Sequence, residues 1–288
     1  AATVMRARFE QFFTPELSRH LATNPDLLTR RDTIVSVLFC DIRRFSAISE
    51  DRGAEVTMEW LSDVMSTMAD CAAAYDGALI DYIGDELMLM WGAPVEQPDH
   101  ATRAAQAAIR MAEQCIELDR KWRDRLGHPT NVGIGINTGS AHVGNVGFER
   151  KFRYAPFGNT VNLASRVQGA TKYLGAGVVV TQATFEQLRT KMLSRRLCSV
   201  RAVNIEQPVM LFELCNESVA GIDQLCEKYE AALACYENED LPNAIRILSE
   251  ILRRHPDDGP TLLLLSRGVA SLMNREAPFN PVFDLPGK

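Results

Sequence analysis

The run Thr33–Cys40 (TIVSVLFC) constrains the fold more than any other stretch, because it is almost unbroken in apolar and β-favouring side chains. A strand that is apolar on both alternating faces has to be covered twice, so it belongs in the middle of a layered sheet. It runs directly into Asp41-Ile42-Arg43-Arg44-Phe45-Ser46, which reads as a polar loop at the strand's exit. From Glu55 to Tyr75, Val56, Trp60, Val64 and Met68 recur every fourth residue, with Leu61, Met65 and Ala72 thickening the stripe into an amphipathic helix. Residues 78–91 read as two strands reversing at Gly84-Asp85, where Gly supplies the positive φ of a tight turn. His100–Asp124 is Ala-rich with helical spacing, and Asn131–Gly147 reads as a second hairpin about Thr138-Gly139-Ser140. A strand over Phe152–Phe157, a helix over Thr160–Tyr173, a strand at 177–180, a short helix from Thr181 and a last strand at 208–214 complete the series. Strands alternating with helices in this way predict a layered α/β domain of about 180 residues. No Gly-x-Gly-x-x-Gly opens a helix after a strand, so a dinucleotide site is not indicated.

Residues 1–32 read as a helical lead-in, with Thr14 as N-cap and Pro15 at the first helical position. Residues 219–288 differ in kind: helical patterns start near Ile222, Leu241 and Pro260, with Pro256-Asp257-Asp258 as a break and cap. Helix pairs at a period of roughly 34 residues predict tetratricopeptide-like packing, and a lone repeat must lean on the main domain or a partner. The start, AATVM, carries neither an initiator Met nor a leader pattern, which is expected of a piece of a longer polypeptide.

Charge and cysteine usage narrow the function classes. With 31 basic and 37 acidic residues the formal net charge is -6, so bulk charge gives no hold on nucleic acid or anionic lipid. No apolar run approaches the roughly 20 residues that span a bilayer, so a soluble segment without membrane insertion is expected. The 7 cysteines form no CxxC pair and the 5 histidines no HExxH, so zinc and redox motifs are absent. Buried, reduced thiols in a cytoplasmic protein are the expectation, with His142 structural.

Two acids stand out by position: Asp41 at the exit of a buried strand and Asp85 at a hairpin tip. If those strands are neighbours, the carboxylates converge, and a cation must offset several kcal/mol of unmatched charge. Hard oxygens left partly open suit Mg²⁺ or Mn²⁺ arriving with a substrate's phosphates. The plainer alternative is that Asp85 serves its turn and Asp41 caps a helix. Asn162 and Arg166, four apart in GNTVNLASRV, share a helical face. An amide can orient a ribose and a guanidinium can grip a phosphate, although a solvated helix face would look the same.

Four blocks in order, VLFCDIRRFSAISE, YIGDELMLMWGAP, VGIGINTGSAHVGNVG and FGNTVNLASRV, together resemble the catalytic domain of class III adenylate and guanylate cyclases. The resemblance covers about Thr33 to Cys215. It implies an α+β, ferredoxin-like palm over residues 33–216, followed by the small all-α tail, and a homodimer paired head-to-tail with active sites between the chains. It implies that Asp41 and Asp85, with the Ile42 carbonyl, bind two Mg²⁺ or Mn²⁺ ions. Asn162 and Arg166 would be the transition-state pair supplied by the partner, and main-chain N–H groups from Arg43 to Ser46, Phe45 included, would cradle phosphates. The implied reaction turns ATP or GTP into a 3′,5′-cyclic nucleotide and pyrophosphate for intracellular signalling, with a sensor module expected upstream.

The departures concern specificity. Asp81 stands where adenylate cyclases usually carry a base-reading Lys, and Ala155 where they usually carry Asp or Thr. A carboxylate can accept guanine N1–H and N2–H together, which favours GTP, while Ala155 donates nothing. The frequency of ATP-using bacterial relatives tilts the expectation to ATP, with guanylate cyclase as the alternative. Val203-Asn204-Ile205-Glu206 lacks the Lys of a VKGK-like stretch, so the expectation is either weaker triphosphate affinity or substitution by Lys151 or another basic residue. A weakly catalytic binding or regulatory module is the next alternative. A diguanylate cyclase, suggested by YIGDEL, is disfavoured by Ile83 and by the Asn162/Arg166 block. A tetratricopeptide scaffold with a vestigial palm is the last.

Overall fold

The computed structural model describes residues 18, 21, 22, 24–148, 151–201, 207–274 and 278–284. The strands are β1 (Arg31–Ile42), β2 (Ala78–Ile83), β3 (Glu86–Trp91), β4 (Val132–Phe148), β5 (Lys151–Phe157), β6 (Val178–Thr181), β7 (Ser194–Arg201), β8 (Val209–Leu214) and β9 (Phe283–Asp284). The helices are α1 (Phe45–Arg52), α2 (Ala54–Ala73), α3 (His100–Leu126), α4 (Asn159–Leu174), α5 (Gln182–Phe185), α6 (Ile222–Glu237), α7 (Leu241–Leu252) and α8 (Gly259–Met273). Among the described residues the strands form one mixed sheet ordered β2-β3-β1-β4-β6-β8-β7-β9, with β5 paired to β4 beside that path.

The apolar run of β1 is covered on both faces, as its sequence demands. Leu38, Cys40 and Ile42 pack under α2 and α3 with Trp60, Val64, Met68 and Met111. Val35, Val37 and Phe39, at the alternate positions, join Ala141, Val143, Tyr154 and Ala164 on the other face. Each such side chain contributes roughly 1.5–3 kcal/mol on burial. The strand's neighbours are β3 and β4, both antiparallel.

One expected element is corrected. Residues 132–148 are a single long strand, and the predicted hairpin at Thr138-Gly139-Ser140 does not form. The glycines of this segment serve close packing instead of turning. A Cβ at Gly139 would lie 2.7 Å from Thr160 Oγ1, and one at Gly135 would strike the main chain of Gln168 in α4. β4 pairs with β1 along residues 132–143 and with β5 along 142–148. Three further elements were not foreseen: α1, which begins inside the supposed polar loop, β7, and β9, whose pairing with β7 means that the tail is not all-α as expected.

The tail's helices begin at Ile222, Leu241 and Gly259, close to the predicted starts, and a short strand, β9, follows them and pairs with β7. Tyr229, Leu233, Tyr236, Leu248 and Leu264 share one core with Val167 and Leu174 of α4 and Leu197 of β7, so the tail is packed on the palm. Arg195 of β7, 2% exposed, donates two hydrogen bonds to Asp258 at 2.7 and 2.9 Å and one to Glu213 at 2.7 Å. All seven cysteines are free thiols, six of them buried, and burial pushes Cys115 and Cys198 up to about 12. His142 is exposed on β4 and paired with Asp32 at 3.0 Å. No described helix is long and apolar enough to cross a membrane. Thr14, Pro15 and Val203–Glu206 lie outside the described residues, as does the Lys151 side chain.

Candidate active site

The β1–β3 register puts Asp41 directly opposite Glu86, the residue after Asp85. Asp85 itself occupies the second position of the two-residue turn between β2 and β3, whose first position, Gly84, takes φ 62°. The condition set by the sequence is therefore met: the strands are neighbours and the two acids stand at the same end of the pair. Both are half-buried. Asp41 shares the parity of Val35, Val37 and Phe39, so it lies on the sheet face opposite α2 and α3. Among the described residues no group of three or more His, Cys, Asp or Glu side chains is arranged to hold a metal. Two carboxylates beside the main chain of Ile42 fit a hard cation that brings phosphate oxygens and waters, rather than one caged by protein alone.

The segment after Asp41 is more ordered than its polarity implied. Strand pairing continues through Ile42, Arg44 turns the chain at φ 59°, and α1 starts at Phe45. The Phe45 ring stacks on Trp60 with centroids 6.0 Å apart and planes at 20°, and Trp60 Nε1 donates to Thr130 Oγ1 at 3.1 Å. What Phe45 can offer a ligand is thus its main chain. Ser46 is exposed in the first turn, and no side chain caps that turn. A helix start with uncapped N–H groups beside two carboxylates can take the anionic part of a metal-bound ligand.

Asp81 lies in β2 just past a register shift, opposite Met88, and its Oδ1 accepts the Tyr82 N–H at 3.1 Å. Ala155, 4% exposed, sits in β5 opposite Gly144 and joins Ile80 in one apolar cluster. The structure therefore brings the neighbourhood of Asp81 and that of Ala155 to the same face of the sheet.

Asn162 and Arg166 are placed apart from the acids. α4 buries Thr160, Ala164, Val167, Gln168 and Thr171, and at 100° per residue Asn162 and Arg166 fall on the opposite side of the helix. Asn162 is exposed and Arg166 half-buried. The first turn of α4 is fixed over the middle of β4: Asn137 Nδ2 donates to the Thr160 carbonyl at 3.0 Å, and Thr160 Oγ1 donates to the Ser140 carbonyl at 2.6 Å. Asp41 pairs with Gly133, so four to seven strand residues, about 13–23 Å at ~3.3 Å each, separate its level from that turn. That spacing applies to Asn162; Arg166 lies further along α4, two residues before Gln168, whose Nε2 donates to the Gly133 carbonyl at 3.3 Å, so what sets Arg166 apart from the acids is its outward helix face. Sequence reading passed over Asn137, which is buried, and the Arg43 side chain; an amide inside an apolar run was the available signal for the first, while Arg43 in a polar segment gave none because its partner Thr171 is distant in sequence.

A profile of the adenylate and guanylate cyclase catalytic domain matches residues 28–204. Adenylate cyclase 1 of Rhizobium meliloti is 32% identical over 201 residues, 69% of this chain and 29% of that protein, so the chain spans less than a third of that relative's length. Among solved structures, the adenylyl cyclase CyaB from P. aeruginosa superposes with a TM-score of 0.63 at 28% identity, over 67% of this chain and 98% of that one. The guanylyl cyclase Cya2 gives 0.59 at 27% identity, over 66% and 96%.

Proposed function

The chain belongs to the adenylate and guanylate cyclase catalytic domain family, and from that premise we propose that two copies form a cyclase acting on a nucleoside triphosphate. The observation that carries the proposal is the division of one reaction's parts between two places: an acid pair at the β1–β3 end and an amide–guanidinium pair on the outer face of α4. A head-to-tail dimer is the arrangement that lets each set meet the other from a neighbouring chain.

In this reading Asp41, Asp85 and the Ile42 carbonyl hold the ions, and the first turn of α1 receives phosphate oxygens on the main-chain N–H groups of Phe45 and Ser46. Two bound Mg²⁺ or Mn²⁺ ions would supply Lewis-acid stabilisation of an in-line displacement. The substrate's own 3′ oxygen gives up its proton to solvent water and bonds to the α-phosphorus, the bond to the bridging oxygen breaks, and pyrophosphate leaves. Asn162 of one chain orients the ribose bound by the other. Arg166 donates to the α-phosphate as charge builds there, a type of interaction whose loss typically costs roughly 10²–10³ in rate.

ATP is the substrate we assign, and relatives named adenylate cyclases support it. The second reading is GTP, favoured by Asp81, since a carboxylate accepts guanine N1–H and N2–H but finds no donor at adenine N1. The test is chromatography of the products formed with Mn²⁺ and either triphosphate. Cyclic AMP with pyrophosphate is the expected result, cyclic GMP alone would reverse the substrate, and no cyclic product from either would leave a binding module.

A further inference from the structure

The segment carrying Asp41 is tied to the palm through the next residue but one. The Arg43 N–H donates to the Asn131 carbonyl at 2.8 Å. Its guanidinium reaches across the sheet: Nη2 donates to Thr171 Oγ1 at 2.7 Å and to the Ala176 carbonyl at 3.1 Å. Those two partners, 0% and 2% exposed, form the corner where α4 ends and the chain turns toward β6. Space for the reach is made at Gly133, the residue opposite Asp41, where a Cβ would lie 2.6 Å from Arg43 Cζ and 2.5 Å from Thr171 Oγ1. The same corner is held from its other side by the tail, since a Cβ on Gly175 would lie 2.7 Å from Gly259 Cα. Arg43 is also close enough to Asp41 for the two charges to interact.

We propose that Arg43 is a positioning residue that ties the Asp41 segment to the α4–β6 corner and so fixes where that carboxylate stands for an incoming cation. The proposal rests on the reading of Asp41 as a cation ligand. A partner that orients a ligand without touching the ion typically changes metal affinity by roughly 10–100-fold. The alternative, that Arg43 acts only through its charge, makes the opposite forecast, because removing a cation beside Asp41 strengthens the pull on a divalent ion.

The experiment is a Mn²⁺ titration of the full chain without nucleotide, with free ion followed by electron paramagnetic resonance and thermal unfolding measured on the same samples. Arg43→Met should weaken Mn²⁺ binding roughly tenfold or more. Thr171→Val, which leaves the charge in place, should weaken it in the same direction by less, and Arg43→Lys should fall between wild type and Arg43→Met. Binding as tight as wild type, or tighter, in Arg43→Met overturns the proposal. Should Arg43→Met not fold, unchanged Mn²⁺ affinity in both Thr171→Val and Arg43→Lys overturns it. Asp41→Ala separates the two readings: if it binds Mn²⁺ like wild type, the ligand assignment fails, and if it loses Mn²⁺ while Arg43→Met does not, the positioning role alone fails.

Discussion

At the scale of single residues, the proposed ligand role rests on where Asp41 and Asp85 stand, half-buried at the same end of the β1–β3 pair. Asp41→Asn or Asp85→Asn should lower cyclase turnover by roughly 10²-fold or more, with Tm nearly unchanged, because neither side chain packs a core. Turnover near wild type in either variant would contradict the ligand assignment. Asp258 is an acid of the other kind. Burial by itself pushes its pKa up, yet the two hydrogen bonds and the charge of Arg195 outweigh that and hold it below the usual carboxylate range. A depressed native pKa gives stability that is present above about pH 4, the unfolded value, and is lost as pH falls through the native one. Asp258→Asn should therefore cost roughly 3–5 kcal/mol at neutral pH and flatten the acid limb of a Tm-against-pH curve. A variant whose acid limb matches wild type would show that the triad is not the acid-sensitive tie between palm and tail.

At the scale of elements, the glycines of β4 govern where the α4 side chains go. Gly135→Ala places a methyl group against the Gln168 main chain, which cannot yield as a flexible side chain can. We expect a loss of roughly 1–3 kcal/mol in chemical unfolding, with a fall in turnover from the displaced helix. Full stability with full activity would mean that α4 is not seated by this contact. These same glycines mark what the sequence left hidden. Thr138-Gly139-Ser140 has turn chemistry, but the residue that explains it, Thr160, is distant in sequence. β7 (SRRLCSVR) reads as charged, yet Arg195 is buried on Glu213 and Asp258, and Arg196 pairs with Glu230 and Glu237. Cross-strand and helix partners hide a strand that local pattern cannot reveal. By contrast, the β1 run, the Gly84-Asp85 reversal and the α3 spacing were legible because their signals are local. Asp41 and Asp85 were legible as a strand end and a turn tip, and Asn162 with Arg166 as one helical face. The distance between the two sets was not, since it depends on where α4 lands on β4.

At the scale of the whole molecule, the account turns on that separation. Asp41 and Asp85 stand at one end of β1 and β3, and the amide–guanidinium pair faces away from the sheet, so under the proposed function a lone chain would carry two half-sites. The tail bears on the same machinery through the corner at Gly175, where Gly259 leaves no room for a side chain. The most direct test mixes an Asp41→Ala chain with an Arg166→Ala chain, each inactive alone, and assays cyclic nucleotide formation in the mixture. Random pairing leaves one intact composite site in each mixed dimer, so about a quarter of wild-type activity should return. Mixed dimers that form, as shown by two distinguishable tags in one complex, and yet make no product would contradict a site shared between chains.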